Sequence, residues 1–403
     1  MNNMNINDIN NMNNINNRNN INNMNNIDFN NKNNKNNQLN LKKPNLIYPH
    51  KTGLKNLGHS SYMNSTIQCL SNIKDLSDYL IKHYGNFDIN TKPLSNEFSS
   101  LVFNIFIYKN KFIVPKKFKE IIGKLNPLFE GIQEANAKDL IIFLLEKLHQ
   151  ELNKRNYSEP SNIDYAQLEK DSFDENKMLE HFIKDYKEKN LSVISNTFYG
   201  VIHSIMKCNC CCKKKYSFQT FNYLIFKLKN VKEYTQKIMK NNYNFIINIY
   251  DAFDYDKKEE ILDGENKVYC NSCKGLESYK YQRIIYSLPK VLIIILDRGR
   301  NNQDFKEEFI FPKELDLSIE NYVILKNNFN TKFYLQSIIT HLGESVVGGH
   351  FIAYCRNGPN EEFLCYNDSN VFKATINEAI SSNIFGKGNE RRTPYILVYH
   401  VKN

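Results

Sequence analysis

Two groups of residues have types and spacings that can do chemistry. The first is a pair of C-x-x-C turns, Cys208 to Cys211 and Cys270 to Cys273, roughly sixty residues apart. Each such turn aims two sulfurs at one point, and two turns on neighbouring hairpins form a tetrahedral four-cysteine zinc site. Zinc would hold all four thiols as thiolates and add folding free energy. The run "CNCCC" also carries Cys210 and Cys212, but only Cys208 and Cys211 have the two-residue gap. The plainer alternative is two unrelated turns with surface thiols. A DNA-reading finger is disfavoured, because no helix with a base-reading face lies between the pairs.

The second group is "THLGESVVGGHFIAYCRNGPNEEFLCYNDSNVF", residues 340–372. A strand is expected from His350 to Arg356, a turn at "NGPNE", and a returning strand from Glu362 to Tyr366. Folding about Pro359 sets Asn367 and Asp368 opposite His350, within cross-strand reach. An amide or carboxylate beside an imidazole orients it as a general base. Gly348 and Gly349 would let a substrate backbone pass close by. A strand-end histidine satisfied by a polar turn is the structural alternative.

The elements that position these groups fall into two halves. Residues 1–40 are more than half asparagine. Such a tract cannot bury enough apolar surface to order itself, and the folded part is expected to begin near Pro44 to Lys51. Helical patterns follow. "SYMNSTIQCLSNI" spaces Met63, Ile67, Leu70 and Ile73 for one helix face. "ANAKDLIIFLLEKLHQELN" repeats Leu140, Leu144, Leu148 and Leu152, with Ile141 and Leu145 widening the stripe. The stretch 154–190 is polar, and its first half reads as a surface insertion.

After 195 the texture turns aromatic and β-branched. "YSFQTFNYLIFKL", "YNFIINIY", "YQRIIYSL", "KVLIIILDR", "YLQSIITHL", "HFIAYCR", "EFLCYND" and "PYILVYHV" all read as strands. A helical half followed by a mostly antiparallel β half predicts an α+β protein.

The chain has 403 residues, of which 41% are hydrophobic, enough for a large core. Its formal net charge of +10 comes from scattered lysines, with no basic block to mark a nucleic-acid surface. Six of the nine cysteines sit in the two clusters, which suits a reduced metal site rather than a disulfide framework. The apolar run "VLIIIL" is too short to cross a bilayer. No signal peptide is recognised, and a cytoplasmic or nuclear, membrane-free protein is expected.

Together these stretches resemble the ubiquitin-specific proteases, a papain-like family of deubiquitinases, in family order over nearly all of 50–400. "GLKNLGHSSYMNSTIQCLSN" is similar to the nucleophile box, Gly-Leu-x-Asn-Leu-Gly-Asn-Thr-Cys-Tyr-Met-Asn-Ser. "EANAKDLIIFLLEKLHQEL" resembles an eroded Gln-Gln-Asp-Ala-x-Glu-Phe-Leu box. "FYGVIHSIMKCNCC" and "YCNSCKG" resemble the zinc-ribbon boxes. "LPKVLIIILDRGR", "HLGESVVGGHFIAY", "YNDSNV" and "YILVYHV" complete the set.

The resemblance implies a helical thumb (about 50–195), zinc-ribbon β fingers (about 196–285) and an antiparallel β palm (about 286–403), after an Asn-rich tail over 1–43. It implies ubiquitin or a related modifier as partner, with the modifier's tail threading past Gly348 and Gly349. Ser61 takes the nucleophile position, His350 the general base, and Asn367 its orienting partner, with Asp368 assisting. His59 stands where the family has an oxyanion-stabilising Asn. Cys208, Cys211, Cys270 and Cys273 match the zinc ligands.

Two departures fall on the chemistry. A thiol at a helix start ionises under the dipole and a nearby imidazole; a hydroxyl does not. Serine attack demands a strongly oriented base, and replacing the orienting Asp by Asn costs serine proteases about 10⁴ in turnover. Losing an oxyanion donor costs about 10²–10³. The expected protein is therefore a dead or severely impaired hydrolase that still binds its modifier as a decoy, regulator or scaffold in a larger complex. The alternatives are an active hydrolase using Ser61, and a zinc-ribbon module with no link to ubiquitin.

Overall fold

The computed structural model describes residues 50–402, apart from 109, 156–164, 240–244, 300–301, 320–321, 325–329, 344–347, 358–361 and 381–390. The asparagine-rich stretch and the "GPNE" part of the hairpin turn lie outside the described residues.

Helices dominate from residue 61 to 198 and strands from 200 onward. At the centre of the helical half runs Ser61–Ser71, with all eleven residues buried. Met63, Ile67 and Leu70 pack as the spacing predicts, and Ile73 lies just beyond, at the start of the next helix. Most polar side chains of this buried helix find partners within the protein. Gln68 Nε2 donates to Thr52 O at 3.1 Å, and the Ser65 and Thr66 hydroxyls donate to Tyr62 O at 3.1 and 2.8 Å. Most buried polar groups in a protein core are partnered in this way.

The helix Ala137–Leu152 buries its leucine stripe completely. Near its far end, the buried carboxylate of Glu151 accepts from the backbone N–H of Leu94 and Ser95, at 3.3 and 2.7 Å. A negative group there meets the positive end of the helix Pro93–Ile107 and satisfies two of its orphan donors.

The β half contains a four-stranded sheet and an eight-stranded sheet. In the first, Gly200–Cys208 pairs antiparallel with both Lys214–Phe221 and Tyr279–Ser287, and Glu260–Leu262 closes one edge. In the second, Asn370–Thr375, Glu362–Asn367, His350–Asn357, Lys332–Leu342 and Arg392–Val401 form a continuous antiparallel run. Val291–Asp297 follows, buried apart from its last residue, and pairs parallel with Leu224–Lys227 at the edge.

One strand expectation fails. "YNFIINIY" yields only the two-residue strand Ile247–Asn248, and the chain then turns into the helix Ile249–Lys257. Asn248 caps that helix reciprocally with Asp251, and Ile249, Ala252 and Phe253 bury at helical spacing. Local capping chemistry outweighs β-branched composition here.

The central helix lies against the histidine strand. Cys355 on that strand sits within 3.7 Å of Gln68 O, and Cys69, Ala353 and Cys355 share one core with Met63 and Leu144.

Candidate active site and metal centre

The site is built where the central helix begins. Asn56 organises the loop before it. Its Oδ1 accepts from the backbone N–H of Gly58 and Ser60, at 2.9 and 3.2 Å, and from the Ser60 hydroxyl at 3.2 Å. Ser60 Oγ accepts in turn from Leu57 N–H at 2.8 Å. This compact knot bends the chain so that the helix starts at Ser61, which is 6% exposed. Helix geometry leaves the first N–H groups of the helix without intrahelical acceptors.

Ser61 Oγ accepts a hydrogen bond from the backbone N–H of Phe351 at 3.2 Å. The hydroxyl is thus pinned beside the residue that follows His350. Among the described residues it makes no direct hydrogen bond to the imidazole. His350 Nε2 bonds Asn367 Oδ1 at 2.8 Å. An amide oxygen can only accept, so Nε2 is the donor in this bond. Asp368 Oδ2 is farther from the same nitrogen, at 3.7 Å.

The Asp368 carboxylate has other work. Oδ2 accepts from Asn56 Nδ2 at 2.9 Å, Oδ1 accepts from Asn64 Nδ2 at 2.7 Å, and its backbone oxygen accepts from Leu54 N–H at 2.8 Å. Asp368 itself has φ +50°, a left-handed turn conformation. Gly53 makes this docking feasible, since a Cβ there would lie 2.5 Å from the Ser369 carbonyl. Sequence reasoning missed Asn56 and Asn64. Both stand in the quoted nucleophile box, but nothing local in the sequence links them to Asp368, more than 300 positions away.

A cleft of about 380 Å³ opens over Ser61, with His59, Glu134, His341, Gly348 and Gly349 among its walls. His59 has φ +46° and turns outward, its Nδ1 3.2 Å from Glu134 Oε1, with both side chains largely exposed. His341 is a further wall residue that the sequence reading did not single out. Its Nε2 bonds Gly348 O at 3.0 Å, and its ring meets Phe305 and Phe351 edge-on. Burial holds its pKa below the usual imidazole value, which favours the neutral ring. Gly348 and Gly349 both have positive φ, and a Cβ on Gly349 would lie 2.5 Å from the His341 ring. His341 needs a glycine at 349, a requirement that appears only once the chain is folded.

At the far end of the four-stranded sheet, Cys208, Cys211, Cys270 and Cys273 place their sulfurs within 4.8 Å of one another. Cys208 Sγ is 4.0 Å from Cys273 Sγ, and Cys211 Sγ is 3.7 Å from Cys270 Sγ. The two turns match. Cys212 N–H bonds Cys208 O at 3.0 Å and Lys274 N–H bonds Cys270 O at 2.8 Å. The residue after each second cysteine, Cys212 or Lys274, is left-handed. A hydrogen bond from the Tyr279 hydroxyl pulls the Cys270 thiol down to about 6, while burial pushes Cys273 up. Four sulfurs this close cannot all ionise without a cation among them, so the set fits a divalent metal.

A buried helix whose first residue touches a histidine-bearing strand at the edge of a cleft is the layout of a papain-like α+β fold. The family model described as ubiquitin carboxyl-terminal hydrolase matches residues 52–399, and the chain belongs to that family. It is 29% identical over 348 residues to human ubiquitin carboxyl-terminal hydrolase 2, spanning 83% of this chain and 54% of that protein. It is 26% identical to ubiquitin carboxyl-terminal hydrolase Usp2 of Drosophila melanogaster, over 83% of this chain and 34% of that protein. The chain thus spans about half or less of the length of these relatives. Among solved structures it is similar to a SAGA Ubp8/Sgf11/Sus1/Sgf73 DUB module bound to ubiquitin aldehyde. The TM-score is 0.60 at 20% identity, covering 87% of this chain and 70% of that one, a likeness of fold. A Ubp8-containing SAGA DUB module bound to monoubiquitin gives a TM-score of 0.62 at 18% identity, covering 87% of this chain and 69% of that one. Among the described residues, no helix is long and apolar enough to cross a membrane.

Proposed function

We propose that this chain recognises ubiquitin, or a closely related modifier, and holds the modifier's C-terminal tail in the cleft over Ser61, with little or no turnover. Family membership and the ubiquitin-bound relatives in fold support the partner. The observation that carries the chemical part is Ser61 Oγ held by Phe351 N–H at 3.2 Å, beside a histidine oriented by an amide. A thiol in that place would ionise; a hydroxyl must give up its proton during attack. Asn367 fixes the tautomer of His350 but carries no charge to stabilise the imidazolium.

Residue by residue, Ser61 occupies the nucleophile position and His350 the base position. Asn367 orients His350, and Asp368 ties the hairpin to the helix start. His59, engaged by Glu134, flanks the oxyanion position. Gly348 and Gly349 line the path of the tail. Cys208, Cys211, Cys270 and Cys273 would hold one zinc ion, whose role is structural. A zinc-thiolate site suits the reducing cytoplasm or nucleus, and a binder without turnover suits a scaffold or regulator in a larger assembly.

One observation favours an active hydrolase as the second reading. His350 is oriented through Nε2 by Asn367, which in the neutral ring leaves the Nδ1 lone pair that a general base needs. Equilibrium binding of ubiquitin, run beside hydrolysis of a ubiquitin C-terminal amide, tests the proposal. Micromolar or tighter binding without hydrolysis supports it. Absence of binding overturns it, and hydrolysis abolished by Ser61→Ala supports the second reading.

A further inference from the structure

The cysteine run at 208–212 supplies more sulfur than one tetrahedral ion needs, and the fold puts the surplus to a particular place. Asn209 docks onto the opposite turn twice. Its backbone N–H bonds Ser278 O at 3.0 Å, and its side-chain amide bonds Ser278 Oγ at 2.8 Å. That docking brings Cys210 against Cys273 and Glu277. The ligand atoms of these three residues lie within 4.8 Å of one another.

We propose that Cys210, Cys273 and Glu277 form a second cation position, selective for a thiophilic divalent ion such as Zn²⁺ or Cd²⁺. Cys273 sulfur bridges this ion to the one held by the four-cysteine set, so the inference rests on the metal reading of that set. A single zinc ion reaches thiolates at about 2.3 Å and carboxylates at about 2.0–2.2 Å, which spans ligand atoms about 4 Å apart. Soft sulfur ligands select such ions over Mg²⁺ or Ca²⁺.

Charge balance points the same way. One dication with four thiolates carries a net charge of −2, and Glu277 adds another negative charge beside it. A second dication offsets this accumulation at short range. Cys210 is exposed and Glu277 half-buried, so the position has three protein ligands and an open side for water. Ligation releases the Cys210 thiol proton to solvent, with no change of oxidation state. The first position, with Cys208 and Cys270 buried, exchanges slowly; the second exchanges freely.

The test is native mass spectrometry of the full chain, titrated with Cd²⁺, beside Cys210→Ser and Glu277→Gln. The wild type is expected to take two ions, and each variant one, with far-ultraviolet circular dichroism unchanged. A chelator should strip the second ion first. A wild type that saturates at one ion overturns this inference alone. A wild type that takes none overturns the four-cysteine metal site with it. Two ions retained by Cys210→Ser also overturn it, because the extra ion then sits elsewhere.

Discussion

Asp368 accepts from Asn64 across the interface between the hairpin and the central helix, at 2.7 Å. With the Asn56 bond to the other carboxylate oxygen, this fastens the turn that carries Asn367 to the helix that carries Ser61. The relative position of Ser61 and His350 is therefore set by a polar tether rather than by apolar packing alone.

Asn64→Ala should remove that tether and leave a largely buried carboxylate oxygen without its donor. The cost expected is about 1–3 kcal/mol. Urea unfolding should show a lower midpoint at unchanged slope, and ubiquitin affinity should fall as the hairpin shifts. An unchanged midpoint would mean that the tether adds nothing.

Gly53→Ala tests the same interface sterically. Its new Cβ would sit 2.5 Å from the Ser369 backbone, which no rotamer change can relieve. Displacement of the 367–369 turn should lengthen the bond between His350 and Asn367, read as a changed imidazole nitrogen resonance by NMR. Wild-type spectra from this variant would show that the approach is looser than the geometry requires.

Chelation should weaken the four-stranded sheet. A single structural metal site contributes several kcal/mol, and each ~1 kcal/mol moves the midpoint of a larger domain by about 2–4 °C. Loss of metal, or Cys270→Ser, should lower Tm by about 5 °C or more in calorimetry. Equal Tm values with and without chelator would remove the metal from the account of stability.

Buried histidines with lowered pKa values, His341 and three with larger shifts, make the fold sensitive to acid. Burial holds His50 near 3 and His149 and His203 near 4, against an ordinary value of 6.5. The unfolded chain takes up protons at these residues near 6.5, while the folded chain does so only near 4 or 3. Between those values the unfolded state binds more protons, so stability falls as pH falls. Each histidine contributes at most about 1.4 kcal/mol per pH unit of its shift. Urea midpoints should be level from pH 7 to about 8 and decline between pH 6.5 and 4. His203→Phe should flatten part of that slope, and an unchanged slope would exclude its contribution.

Much of this was legible in the sequence. The helix Ala137–Leu152 follows from its leucine stripe, and the His350 strand from its aromatic and β-branched residues before the "NGPNE" turn. The four-cysteine set follows from gap length alone. What escaped is non-local or locally overruled. Asn56 and Asn64 acquire meaning only when residue 368 folds back onto them. The direction of His59 depends on Glu134, which the sequence places 75 positions away. The helix at 249–257 hid behind β-branched neighbours, although Asn248 and Asp251 spell a capping box.

We propose that the Ser61 hydroxyl stands where turnover requires a thiol. The most direct test compares hydrolysis of a ubiquitin C-terminal amide by the wild type and by the double variant Ser61→Cys, His59→Asn, at matched ubiquitin occupancy. Little or no turnover is expected from the wild type, and at least about 10² more from the variant. Wild-type turnover that Ser61→Ala abolishes, or a double variant that binds ubiquitin yet stays inert, would contradict it.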